Sequence, residues 1–235
     1  MLGLAERSSS RWADFGTRVL SAAVLAPLAL ACVWVGGIAF TLVVIAAMVG
    51  LVFEWLSLCR LPAARDEAAL LCPAGLLYIA IAGAAVLWLR DDPVVGRVNL
   101  LFMLFTVWAC DIGAYLVGRW IGGPRLAPAI SPGKTRSGAL GGLIAAIAAG
   151  LLAAHFLSDV ATTWRAASVA AVLGVVAQAG DLLESFVKRR LDVKDSGHLI
   201  PGHGGLFDRL DGILAAAQVA AVLALALGRG VVLWQ

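Results

Sequence analysis

The sequence predicts an all-α, polytopic integral membrane protein with about seven transmembrane helices and a cytoplasmic N-terminus. Three observations lead there. Of 235 residues, 61% are apolar and 14% charged, against about 45–50% and about 25% in soluble domains. The apolar residues fall into runs of the length that crosses a hydrocarbon core, roughly 17–25 residues. With those runs as spans, fourteen of the 18 Lys and Arg lie in the segments on the N-terminal side and four on the other. Such a bias marks the cytoplasmic face.

The expected spans are Thr17–Val35, Ile38–Leu58, Ala69–Leu89, Val94–Gly118, Ser137–Leu157, Arg165–Val187 and Phe207–Gly228. The polar N-terminus carries Glu6 and Asp14 and does not read as a cleaved signal peptide, so the first run is expected to remain as an anchor. Only Gly36 and Gly37 separate the first two runs, which leaves open one tilted span plus a re-entrant piece. Alanine-rich runs such as Ala145–Ala149 offer small faces for close helix packing, and homodimerisation is compatible with them. Tryptophans near run ends, Trp55 and Trp234 among them, suit interfacial anchors. Cys32, Cys59, Cys72 and Cys110 form no CxxC pair. They read as small core residues, with no disulfide framework. Residues 1–100 divide off as N-terminal membrane helices. Residues 101–235 form the region that carries chemistry, with two cytoplasmic loops rich in charge.

Ionisable groups inside the spans are functional candidates by default. Glu54, near the cytoplasmic end of the second span, reads as a snorkelling or paired carboxylate. Asp111 is deeper, seven residues before Gly118 and so about 10 Å from the helix end. A lone carboxylate there costs on the order of 2.5–3.5 kcal/mol. It requires a partner, a metal or a wet cavity. Asp111, Tyr115 and Gly118 form one helical stripe, expected to face the bundle interior.

The segment from Gln178 to Gly212 concentrates charge of both signs between two apolar runs. Asp181, Glu184 and Lys188 share one helix face, and Asp208 and Asp211 share the start of the next helix. Between them, Pro201 to Gly205 is poor in side chains, so backbone N–H groups can approach an anion. Carboxylates together with substrate phosphates are the usual way to hold Mg²⁺. The positive-inside rule accounts for the cations here but not for the acids. The other loop, Ser131-Pro-Gly-Lys-Thr135, offers hydroxyls, one point charge and open backbone, and Ser137 is placed to cap the helix that follows. It is not a P-loop: Pro128 stands where that motif needs glycine, and no buried parallel strand precedes it. His155 lies near the outer end of a span and reads as inert. His203 lies within the charged segment, either closing its loop or touching phosphate.

The pattern S-x-V-K-R-x4-K-D-x-G-x2-I-P-x-H-G-G-L-x-D-R-L-D, filled from Ser185 to Asp211, resembles the signature of the phosphatidate cytidylyltransferases. A second stretch, D-I-G-A-Y-x2-G-R…I-S-P-G-K-T-x-S-G-x2-G-G from Asp111 to Gly142, is similar to the same family. The resemblance is close over roughly the last 130 residues and general over the first 100. It implies the reaction of CTP with phosphatidate to give CDP-diacylglycerol and pyrophosphate, with Mg²⁺. The expected metal ligands are Asp181, Glu184, Asp208 and Asp211. Lys188, Arg189, Lys194, Asp195, Asp208, Arg209 and Asp211 are the expected catalytic set. Asp111, Ser131, Lys134, Thr135, His203, Gly204 and Gly205 are the expected substrate contacts. Partners would be CTP, phosphatidate and membrane lipids, without nucleic acid. The expected location is the bacterial inner membrane, with the site facing the cytoplasm. Two other readings compete: a CTP-dependent lipid or polyprenol kinase, and a cation transporter. A transporter needs an outward acidic path, for which Asp91, Asp92 and Asp159 are too shallow.

Overall fold

The computed structural model describes residues 26–64, 68–159, 163–197 and 204–235. The chain forms α1 (Ala26–Val35), α2 (Gly37–Cys59), α3 (Ala68–Asp91) and α4 (Gly96–Ile121). A short hairpin follows, β1 (Arg125–Ala127) and β2 (Ser131–Thr135), and then α5 (Arg136–Leu157), α6 (Thr163–Arg190) and α7 (Phe207–Leu227). Helices α2 to α7 are each long and apolar enough to cross a membrane, as the hydropathy pattern requires. Of the first expected span only α1 lies among the described residues.

The break between α1 and α2 is sharp because Gly36 and Gly37 take φ of 69° and 60°, a region that favours glycine. Arg90 on α3 fills the space beside it. Its Nε donates to Val33 O at 2.7 Å, and a Cβ at residue 36 would lie 2.2 Å from its Nη2. The α1–α2 connection is thus a turn between two helices.

Helices α4 and α5 pack through glycine. A Cβ at Gly142 would stand 2.7 Å from Cys110 O, and one at Gly138 would stand 2.8 Å from Ala114 O. Such small faces let two backbones touch where lipid supplies no hydrophobic drive. This contact holds the start of α5, and with it the hairpin, against the end of α4 that carries Asp111.

The helices bear out the all-α class, and the connection between α4 and α5 adds one short β-hairpin. Its strands run antiparallel, Arg125 opposite Thr135 and Ala127 opposite Ser131. Pro128, at the turn, removes a backbone donor and cannot extend a helix. Ile130 N closes the turn onto Ala127 O at 3.1 Å. The cap of α5 also differs from expectation: Thr135, not Ser137, is the N-cap, accepting from Gly138 N at 3.0 Å. Ser137 instead donates to Gly122 O, tying the helix start to the end of α4.

At the opposite end, residues after α7 fold back into the bundle. Asn99 donates to Val231 O at 3.1 Å and accepts from Leu233 N at 2.9 Å. Trp234 is fully buried and stacks on Phe102 with centroids 4.5 Å apart. It is a core residue and not an interfacial anchor. Trp55 is also buried; it stacks on Phe207 of α7 and donates to Cys72 O at 3.1 Å. The cysteines need a further correction. Cys59 and Cys72 are joined as a disulfide across the α2–α3 connection, Cα–Cα 5.9 Å. The reversal of the chain brings together two residues that no motif spacing links. One hydrophobic core runs from Phe40 and Leu89 to Phe102, Leu173 and Ala217, so the N-terminal helices share a core with the rest.

Candidate active site

Both charged loops open onto a single cavity of about 790 Å³. Helix α4 supplies Asp111, Tyr115 and Gly118 to its wall, so the predicted stripe faces the cavity. The hairpin and its continuation supply Lys134 and Thr135. Helix α6 supplies Asp181, Glu184 and Lys188, and α7 with the segment before it supplies Asp195, Asp208, Arg209 and Asp211. Residues 100 positions apart in sequence line one space because α4 and α6 end, and α7 begins, at the same side of the bundle.

The acids sit at the floor. One carboxylate oxygen from each of Asp181, Glu184 and Asp211 lies within 4.8 Å of the others. Glu184 Oε1 is buried without a hydrogen-bond partner among the described residues. An orphaned buried carboxylate oxygen is costly unless a cation or donor completes it. The donor set, three hard oxygens beside open space, suits Mg²⁺ with substrate phosphates as further ligands.

Asp208 stands beside this trio but is engaged differently. Its Oδ1 is paired with Lys188. Its Oδ2 accepts from Ser196 N at 3.0 Å, Ser196 Oγ at 2.9 Å and Gly205 N at 2.9 Å. Asp208 thus organises the segment before α7, and Lys188 bridges it to Glu184 at 2.8 Å. Lys134 reaches across from β2 to Asp181 Oδ2 at 2.5 Å. Gln178 joins the same wall, donating to Ala139 O at 3.1 Å.

Among the described residues, five of those expected do not line the cavity: Arg189, Lys194, Ser131, Gly204 and Gly205. Arg189 is exposed and donates to Ile130 O at 3.3 Å on the back of the hairpin. Lys194 is exposed and Ser131 half-buried, neither lining the space. Gly204, at φ 80°, and Gly205 turn the backbone toward Asp208. His203 lies outside the described residues.

Several residues were not marked by sequence reasoning. Arg119 and Arg125 line the cavity. Arg119 closes the D-I-G-A-Y-x2-G-R stretch, which was a usable signal; Arg125 had none. The larger omission is Glu54, which is 2% exposed. It accepts from Leu206 N at 2.8 Å and Phe207 N at 2.9 Å, with Ser196 Oγ at 3.4 Å. It is paired, as one reading held, but with backbone at the head of α7.

Carboxylates spaced for a divalent cation, with lysine and arginine lining the same cavity among membrane-length helices, have the chemistry to bind phosphorylated molecules. Residues 73–227 match the model of the cytidylyltransferase family, and the chain belongs to that family. A similar protein is the phosphatidate cytidylyltransferase of Brucella suis biovar 1 (strain 1330). It is 39% identical over 245 aligned positions, covering 86% of this chain and 90% of the relative. The phosphatidate cytidylyltransferase of Haemophilus influenzae is 44% identical over 142 positions, 57% of this chain and 49% of that one. That of Staphylococcus saprophyticus is 37% identical over 148 positions, covering 63% and 57%.

Proposed function

We propose that this protein transfers the cytidylyl group of CTP to phosphatidate, releasing pyrophosphate and forming CDP-diacylglycerol for phospholipid synthesis. The observation that carries the reading is the convergence of Asp181, Glu184 and Asp211 on the cavity that Lys134 and Lys188 also enter, in a chain of this family. An oxygen of the phosphatidate phosphate forms a bond to the α-phosphorus of CTP. The bond from that phosphorus to the bridging oxygen of the β-phosphate breaks. The nucleophile is already anionic near neutral pH, so no general base is required.

The difficulty is to bring one anion onto another, and positioning with charge neutralisation meets it. Lys134, Arg119, Arg125 and Arg209 supply positive charge around the cavity. Lys188, held by Glu184 and Asp208, is fixed in direction before substrate arrives. Asp181, Glu184 and Asp211 would hold Mg²⁺. Bound there, the ion neutralises triphosphate charge and makes the α-phosphorus more electrophilic. Asp111, on the α4 wall of the cavity, suits a substrate hydroxyl. The Lys and Arg asymmetry supports a site facing the cytoplasm, at a bacterial inner membrane.

The test supplies purified protein in detergent with phosphatidate, Mg²⁺ and CTP labelled at either the α- or the γ-phosphate. Transfer of the α-label into lipid, abolished by EDTA, is the expected result. Transfer of the γ-label in its place would establish a lipid kinase and overturn the proposal.

A further inference from the structure

Glu54 lies on α2, outside the matched family region and 142 positions from Ser196. Its carboxylate faces the first amides of α7, where unpaired N–H groups and the helix dipole favour negative charge. Each oxygen accepts one amide, from Leu206 and Phe207, and Ser196 Oγ lies 3.4 Å from Oε2. Ser196 then passes to Asp208, giving both its amide and its hydroxyl to Oδ2. Glu54 and Asp208 therefore grip the same segment from two sides, and Asp208 holds Lys188.

The surrounding backbone is fitted to this carboxylate. A Cβ at Gly197 would lie 2.7 Å from Glu54 Oε1, and one at Gly205 would lie 2.9 Å from Oε2. Gly197 is thus confined by a side chain far outside the pattern, whereas at Gly205 a Cβ would meet Ser196 Oγ first, at 2.0 Å. A burial this deep with two backbone donors is a built contact, not a snorkelling chain end.

We infer that Glu54 is a positioning residue for the transfer reaction: it fixes Ser196 and the stretch Gly205–Phe207 so that Asp208 and Lys188 stand correctly beside the Asp181–Glu184–Asp211 trio. The inference rests on the proposed reaction for its kinetic consequence but not for its structural one. Glutamine cannot serve both amides, because its NH₂ group would face a second donor. Aspartate keeps two acceptors but falls one methylene short.

The experiment compares wild type, Glu54→Gln and Glu54→Asp in detergent, by amide hydrogen exchange and by steady-state turnover. Exchange at Ser196, Gly205, Leu206 and Phe207 should rise at least tenfold in E54Q, while α4 and α5 stay protected. The amides of Ser196 and Gly205 are informative because they bond Asp208, not Glu54. Turnover per folded molecule should fall at least tenfold in kcat, with KM for CTP within threefold, and less in E54D. A purely structural role would lower the folded fraction and leave kcat per folded molecule unchanged, and that result overturns the inference. If E54Q does not fold, E54D decides: unchanged exchange and kcat overturn it. An inactive wild type with a loosened segment in the variant would sink the reaction and leave the positioning role standing.

Discussion

Lys134 on β2 and Asp181 on α6 form an ion pair, Nζ to Oδ2 2.5 Å, and through it the two charged loops become one site. The glycine contact between α4 and α5 brings the hairpin to α6, and the pair holds it there. Replacing Lys134 by alanine removes both a cavity cation and that joint. A charge-assisted bond contributes about 1.5–3 kcal/mol, so kcat/KM for CTP should fall about ten- to hundredfold. Lys134→Arg keeps the charge but not the point geometry and should lie between. Steady-state kinetics with CTP varied checks this; an alanine variant within twofold of wild type would remove Lys134 from the site.

Asp211 and Asp208 are three residues apart in sequence, yet their changes should read differently. Asp211→Asn weakens the trio, and half-maximal activity should require at least tenfold more Mg²⁺. In Asp208→Asn the segment before α7 loosens and Lys188 loses a partner. Melting temperature and turnover should then fall together, with the half-saturating Mg²⁺ concentration within about threefold, since one coordinating group is worth roughly a tenfold step or more. Mg²⁺ titrations of both variants decide it.

Asp92 controls the end of the bundle opposite the site. Its Oδ1 accepts from Val94 N and Val95 N, and Oδ2 from Gly230 N at 2.7 Å. Burial pushes this carboxyl upward, but the amides of Val95, Gly230 and Val94, with Arg229, outweigh it and hold the group below its ordinary value. A carboxyl depressed in the folded state contributes stability fully present above its unfolded pKa of about 3.9 and lost as pH falls through the folded value. The melting temperature of Asp92→Asn should lie below wild type at pH 6 to 7, and the gap should close below about pH 4. A gap that does not change with pH would show that Asp92 acts by shape alone.

The α4–α5 seam has no room at Gly142. Valine there would press its Cβ against Cys110 O. Overpacking typically costs about 1–3 kcal/mol, so Gly142→Val should lower the melting temperature and move the hairpin away from α6. Full retention of both stability and turnover would contradict the seam.

The sequence by itself determined the membrane class, the positions of α2 to α7 and the two charged loops, because hydropathy over a span and fixed local spacings are read along the chain. Asp181, Glu184 and Lys188 could be placed on one face from helix periodicity alone. Tertiary structure decided how that chemistry is divided. Asp208 looked like a ligand equal to Asp211, but its oxygens go to Lys188, Ser196 and Gly205, and no spacing rule foretells which neighbours a loop will fold upon. Arg189 stands beside Lys188 in sequence, and one step along a helix turns it out of the cavity and onto the hairpin backbone at Ile130. The hairpin, the Cys59–Cys72 pair and buried Trp234 depend on chain reversals that bring distant segments together. Glu54 is the clearest case. A single glutamate in an apolar run shows only that something must compensate its charge, and only the packing of α2 against α7 reveals that the compensation is the head of the helix bearing Asp208 and Asp211.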